Sequence, residues 1–142
     1  MTAITRRLEF DAGHRLINHE SKCKHLHGHR YCAEITVQAD ALDRIGRVID
    51  FGVVKALVGK WIDDNWDHNM VINPNDPILK FAGLLEKHPY LCYQGGEPAN
   101  PTAEVMARIL FGVAVELLPS ELKVVKVRLY ETPNCFAEYP DV

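Results

Sequence analysis

The chain has 142 residues, 47% hydrophobic and 25% charged. These values exclude disordered, collagen-like and coiled-coil classes and predict one domain over residues 1–142, with a core that needs no disulfide staples. Sixteen Lys and Arg against 19 Asp and Glu leave a net charge of −3, so no global positive field favours nucleic acid or an anionic membrane. No stretch reaches the ~20 apolar residues of a membrane span, and Met1 to Leu16 lacks the apolar core of a secretion signal. The expectation is a cytoplasmic protein with no nucleic-acid or membrane partner.

Apolar residues keep to even positions from Ile4 to Leu16 (Ile4, Leu8, Phe10, Ala12, Leu16), while Thr5, Arg7, Glu9, Asp11 and Arg15 are odd, which predicts a half-buried strand. From His29 to Leu42 the alternation returns in odd phase through Tyr31, Ala33, Ile35, Val37 and Ala39, predicting a second strand that ends in a turn around Asp43 to Gly46. Asp50 is placed as a helix N-cap before Phe51, Val54, Leu57, Val58, Trp61 and Ile62, whose spacing is helical to about Trp66. Residues 70–101 are dense in turn formers, from Asn73-Pro74-Asn75-Asp76-Pro77 to Gly95-Gly96, and read as an elaborated loop with at most one short helix near Ile78 to Lys87. A second amphipathic helix starts at Thr102 and stops at Pro119. Val125, Val127 and Leu129 mark a third strand, and Cys135 to Tyr139 a fourth after the Thr132-Pro133-Asn134 turn. The order β-β-α-α-β-β predicts an α+β domain, a four-stranded antiparallel sheet with two helices on one face.

Chemistry concentrates in the first thirty residues. His27 and His29 flank Gly28 and share the apolar phase of the second strand, and His14 shares that of the first. If the two strands are antiparallel neighbours, three imidazoles converge on one buried point. That donor set suits zinc, with iron and other imidazole-binding metals next, against the alternative of hydrogen-bonded core histidines. A zinc finger from Cys23, His25, His27 and His29 is weaker, because one short run wraps a tetrahedron poorly. Four cysteines (Cys23, Cys32, Cys92, Cys135) are irregularly scattered and fit free thiols, ligands or nucleophiles better than bridges. Lys22 and Lys24 flank Cys23, the charged setting expected of a base or nucleophile, although an ordinary loop thiol can have the same neighbours. Asp67-His68 can act as a carboxylate-oriented proton shuttle. Glu131 continues the phase of Val127 and Leu129, so its carboxylate needs a committed partner: a buried Arg or Lys, or adjacent N–H groups such as those of an aminopyrimidinone ring.

Read together, Phe10-Asp-Ala-Gly-His14-Arg-Leu16, Cys23-Lys-His-Leu-His27-Gly-His29, Val48-Ile-Asp-Phe51, Trp66-Asp-His68-Asn69, Asn100-Pro-Thr-Ala-Glu104 and Tyr130-Glu-Thr132 resemble, in order, the superfamily of 6-pyruvoyl- and 6-carboxy-tetrahydropterin synthases. The resemblance implies the tunnelling fold and zinc on His14, His27 and His29. It further implies a catalytic thiolate at Cys23, a proton relay completed by Asp67 and His68, and a pterin anchored by Glu131 with Thr102 near it. Glu104 reads either as assisting or as favouring the helix dipole, and Thr102 also as a cap. The three-residue spacer between Cys23 and His27 resembles the 6-carboxy branch. That branch implies conversion of 7,8-dihydroneopterin triphosphate to 6-carboxy-5,6,7,8-tetrahydropterin, acetaldehyde and triphosphate, on the route to 7-deazaguanines such as queuosine. The alternatives are a pyruvoyl-forming synthase that leaves the side chain uncleaved and a non-catalytic zinc-binding module. The resemblance also implies a homo-oligomer, trimer or hexamer, with sites between subunits, and a longer segment at 70–101 than compact members carry.

Overall fold

The alternation of the first forty residues becomes one long hairpin. In the computed structural model, which describes residues 1–84 and 86–141, strand β1 (Thr2–His14) pairs antiparallel with β2 (His27–Ala39) in unbroken register from Thr2↔Ala39 to His14↔His27. Leu8, Phe10, Ala12 and His14 of β1 are buried on the same face as Tyr31, Ala33, Ile35, Val37 and Ala39 of β2. The opposite face is tiled with ion pairs, Arg7–Glu34 at 3.1 Å and Arg30–Asp11 at 3.0 Å among them.

Both helices cover the apolar face. Helix α1 spans 51–65, with a π-helical turn at Lys55–Gly59 between α-helical Phe51–Val54 and Lys60–Asn65. Asp50 caps it as expected, accepting from the Gly52 N–H at 2.7 Å. Helix α2 (Ala103–Leu117) is capped by Thr102, whose hydroxyl accepts from the Val105 N–H at 3.1 Å. Val54, Val58 and Ile62 of α1 and Met106, Ala107, Leu110 and Ala114 of α2 meet the sheet residues in a single core. Among the described residues, no helix is long and apolar enough to cross a membrane.

The α+β class and the two helices on one face are as expected, but the sheet is larger and not wholly antiparallel. It has six strands, in the spatial order β4 (Tyr90–Leu91), β3 (Asn69–Ile72), β1, β2, β7 (Lys123–Thr132) and β8 (Cys135–Tyr139). Strands β3 (Asn69–Ile72) and β4 (Tyr90–Leu91) come from the segment read as a loop, and each joins in parallel, β3 on Ala12–His14 and β4 on Val71–Ile72. Runs of four and two residues are too short to show a period. A small hairpin, β5 (Tyr93–Gln94) and β6 (Glu97–Pro98), turns on Gly95-Gly96, both at positive φ, where glycine carries no Cβ penalty. The short helix expected near Ile78 to Lys87 is a 3-10 helix at Pro77–Leu84, and Leu85 lies outside the described residues.

Strands β7 (Lys123–Thr132) and β8 (Cys135–Tyr139) complete the far edge. The pairing of β7 on β2 shifts between Thr36 and Val37, so Val124 is buried where the odd phase expected Val125.

The 70–101 segment is tied to the end of β1 by Arg15, whose guanidinium makes paired hydrogen bonds to the buried Asp76 carboxylate, Nε to Oδ2 at 2.6 Å. Burial pushes the Asp76 carboxyl up, but the Arg15 hydrogen bonds, the Ile78 N–H and the Arg15 charge together hold it below the usual carboxylate range. A carboxyl depressed in the folded state stabilises above its unfolded value and loses that contribution as pH falls through its folded value. Asp76→Asn should therefore lower stability at pH 7 by about 1 to 3 kcal/mol. Denaturant unfolding of both proteins should show that gap closing as the pH drops below the ordinary carboxylate range.

Candidate active site

The β1–β2 register sets His14 opposite His27 and Ala12 opposite His29. All three imidazoles leave the core side of the sheet at the end where the loop joins β1 to β2, with ring centroids 4.6 to 5.1 Å apart and ligating nitrogens within 4.8 Å of one another. His14 is only 1% exposed. Its Nδ1 donates to the Pro101 carbonyl at 2.7 Å, and the Nδ1 of His27 donates to the His25 carbonyl at 2.7 Å. A carbonyl can only accept, so both protons sit on Nδ1 and both Nε2 atoms present lone pairs.

Those lone pairs face each other at 3.1 Å, and the buried Nε2 of His29 has no hydrogen-bond partner among the described residues. Burial pushes the His14 pKa down to about 4, against the Pro101 bond and with the help of the neighbouring imidazoles, so a proton does not fill the gap near neutrality. Burial likewise lowers His29. Two imidazole lone pairs oriented by backbone carbonyls, with the His29 ring nitrogen beside them, are a donor set that suits a borderline divalent cation such as zinc.

Glu131 joins this cluster from β7. Its carboxylate oxygens lie 3.5 Å from His29 Nε2 and 3.9 Å from His14 Nε2. The β7–β8 pairing is irregular between Tyr130 and Thr132, which leaves Glu131 outside the ladder and free to lean over the histidines. Among the described residues no Arg or Lys lies within ion-pair distance of it, so the alternative of a buried cationic partner is not what the structure holds.

A second cluster sits across the sheet end. The Asp11 N–H donates to Asp67 Oδ1 at 3.0 Å and the Asp11 carbonyl accepts from the His68 N–H at 2.6 Å, which together hold His68 in a left-handed conformation, φ 55°. Asp67 Oδ2 is 3.0 Å from His68 Nδ1. Burial raises the Asp67 carboxyl, but the Asp11 N–H and His68 more than offset it and keep the group below its usual range, hence ionised. The His68 ring, 78% exposed, stands in an open groove of about 720 Å³ lined also by Asp11, Gly13, His29, Arg30 and Lys87.

Cys23 joins neither cluster within one chain. It is half-buried in the Lys22–Lys24 3-10 turn, its carbonyl accepting from the Leu16 N–H at 2.9 Å. His25 contributes a carbonyl and not its ring, so the finger of Cys23, His25, His27 and His29 does not form. Thr102 uses its hydroxyl as the α2 cap, and Glu104 is exposed in the first turn. Sequence reasoning missed Pro101 and Tyr31, whose buried hydroxyl is 3.2 Å from His14 Nδ1 and whose ring stacks on Phe10 at 5.1 Å. Tyr31 was visible as the next in-phase residue after His29. A backbone carbonyl 87 residues away from His14 left no signal.

The family model described as 6-pyruvoyl tetrahydropterin synthase matches residues 3–141. A 6-carboxy-5,6,7,8-tetrahydropterin synthase of Rickettsia conorii is 43% identical over 142 residues, spanning 97% of this chain and 99% of its own. Among solved structures, an uncharacterized protein from Wolinella succinogenes superposes with a TM-score of 0.79 at 22% identity, over 99% of this chain and 98% of that one. The 6-pyruvoyl tetrahydropterin synthase of Caenorhabditis elegans gives 0.69 at 22%, over 97% and 94%. These structures share the fold, and the chain belongs to the 6-pyruvoyl tetrahydropterin synthase family.

Thr102 is where a capping role is measurable. Thr102→Ala removes the hydroxyl that satisfies the Val105 N–H and should cost about 1 kcal/mol, read by denaturant unfolding, while Thr102→Ser keeps most of that stability.

Proposed function

We propose that the chain is a zinc-dependent 6-carboxy-5,6,7,8-tetrahydropterin synthase, a carbon–carbon lyase that converts 7,8-dihydroneopterin triphosphate and one water to 6-carboxy-5,6,7,8-tetrahydropterin, acetaldehyde and triphosphate. The cytoplasmic route to 7-deazaguanines such as queuosine is its setting. The observation that carries the reading is the facing of the His14 and His27 lone pairs beside the unpartnered His29, with an acceptor-only carboxylate leaning over them. The name of the Rickettsia conorii relative and the three-residue spacer between Cys23 and His27 support the 6-carboxy branch over the pyruvoyl-forming alternative.

His14, His27 and His29 would hold the zinc, which as a Lewis acid acidifies hydroxyl groups bound to it. Glu131 accepts two adjacent N–H groups of the pterin ring and fixes its orientation. The Cys23 thiolate abstracts a side-chain proton from one face. His68, held by ionised Asp67 through Nδ1, keeps Nε2 available to take or return a proton from the other. Thr102 and Glu104, at the start of α2, border the ring. Because the groove around His68 is open and Cys23 stands apart from it, a second copy of the chain covers the site in a homo-oligomer, trimer or hexamer.

Incubation of the zinc-loaded chain with dihydroneopterin triphosphate should release acetaldehyde and a product with the mass of 6-carboxytetrahydropterin. His29→Ala should lose both products together with its bound zinc, measured by elemental analysis. A product that keeps the whole side chain would place the protein in the pyruvoyl-forming branch. Tight zinc without any turnover would make it a binding module.

With no Arg or Lys for it to neutralise among the described residues, Glu131→Gln should change folding stability by less than about 1 kcal/mol while weakening pterin binding by about 1.5 to 3 kcal/mol. Calorimetric titration with a pterin alongside thermal unfolding separates the two effects.

A further inference from the structure

The loop between β1 and β2 carries Cys23, and no residue from 15 to 26 is fully buried. Apolar packing therefore does little to place it. What places it is polar. The Asn100 side-chain amide clasps the backbone of Ile17 on both sides, Oδ1 accepting from the Ile17 N–H at 3.1 Å and Nδ2 donating to the Ile17 carbonyl at 3.0 Å. Buried Asn73 donates to the same Oδ1 at 3.1 Å, and the Arg15–Asp76 pair stands two residues away from Ile17. The residue before Ile17, Leu16, donates its N–H to the Cys23 carbonyl. The residue after Asn100, Pro101, accepts from His14 Nδ1. One dipeptide of the 70–101 segment thus grips the base of the Cys23 loop with its side chain and a cluster imidazole with its backbone.

We infer that Asn100 is a positioning residue that holds the Cys23 loop in register with the His14, His27 and His29 cluster, through the paired hydrogen bonds of its amide to Ile17. The inference rests on the reading of Cys23 as the catalytic thiol. An amide is suited to the task because it offers one donor and one acceptor, as a neighbouring strand would. Aspartate keeps the shape and the acceptor, but it cannot donate to the Ile17 carbonyl and sets a charge against it.

The test is Asn100→Asp in the zinc-loaded full chain, with alkylation by iodoacetamide followed at each cysteine by peptide mass spectrometry. Cys135, exposed, is an internal reference on the same molecule. Loosening the loop should raise the Cys23 to Cys135 rate ratio by about fivefold or more, and a displaced thiolate should lower kcat by about tenfold or more with KM within about twofold. Zinc content should stay at the wild-type level. A folded Asn100→Asp protein with an unchanged rate ratio, or with a raised ratio and unchanged kcat, overturns the inference. If Asn100→Asp does not fold, Asn73→Ala, which removes the donor to Asn100 Oδ1 together with the acceptor of the Asn75 N–H, should shift both readouts in the same directions by smaller factors, and no shift in either overturns it. Wild-type protein that gives no pterin product while the ratio still rises removes the synthase reading and leaves the clamp standing.

Discussion

The site depends on one register. Pairing His14 with His27 across β1 and β2 places His14, His27 and His29 on the core face at one end of the sheet, and a slip of a single residue would turn the β2 pair to the charged face. Two features hold that register. Phe10, Tyr31 and their neighbours are buried in phase with the histidines, and the opposite face is matched by charge, Arg7 to Glu34 and Arg30 to Asp11. The chemistry is consequently mounted on the most extensively paired part of the sheet, where rigidity keeps ligating atoms within a fraction of an ångström.

Electrostatics at this end run opposite to those of an ordinary core. Burial strips His14 of its proton, backbone carbonyls fix the tautomer of two rings, and Glu131 adds a carboxylate with no Arg or Lys beside it among the described residues. The groups that face the gap, the Nε2 atoms of His14 and His27 and the Glu131 carboxylate, are acceptors, so the cluster suits a cation or a donor-rich ligand. Across the sheet end the Asp11 backbone takes both Asp67 and His68, which keeps a proton-handling pair beside the same strand terminus. The two clusters are joined through β1 itself, Asp11 serving one and His14 the other.

Stability and function meet in the 70–101 segment. It supplies strands β3 and β4, the second of them at the sheet edge, the buried Asp76 that receives Arg15, and the Asn100-Pro101 dipeptide that grips Ile17 and His14. Its many turn formers keep it irregular, and irregular backbone leaves carbonyls and side-chain amides unpaired and available to hold another loop.

Much of this was legible along the chain because strand periodicity is local. The parity of His14, His27 and His29 with their apolar neighbours identified one face, and the helical spacing after Asp50 and Thr102 identified both helices and their caps. The α+β class followed from the order of those elements. Other features belong to the tertiary structure alone. Strands β3 and β4 are too short to carry a period, the bulges that bury Val124 and free Glu131 are set by how β7 meets its neighbours, and the tautomers of His14 and His27 follow from carbonyls they meet only after folding. The contacts that orient His14 and the Cys23 loop span 87 and 83 residues. A pattern with a period of two or 3.6 residues carries no information at that separation, because packing and not local geometry brings such groups together.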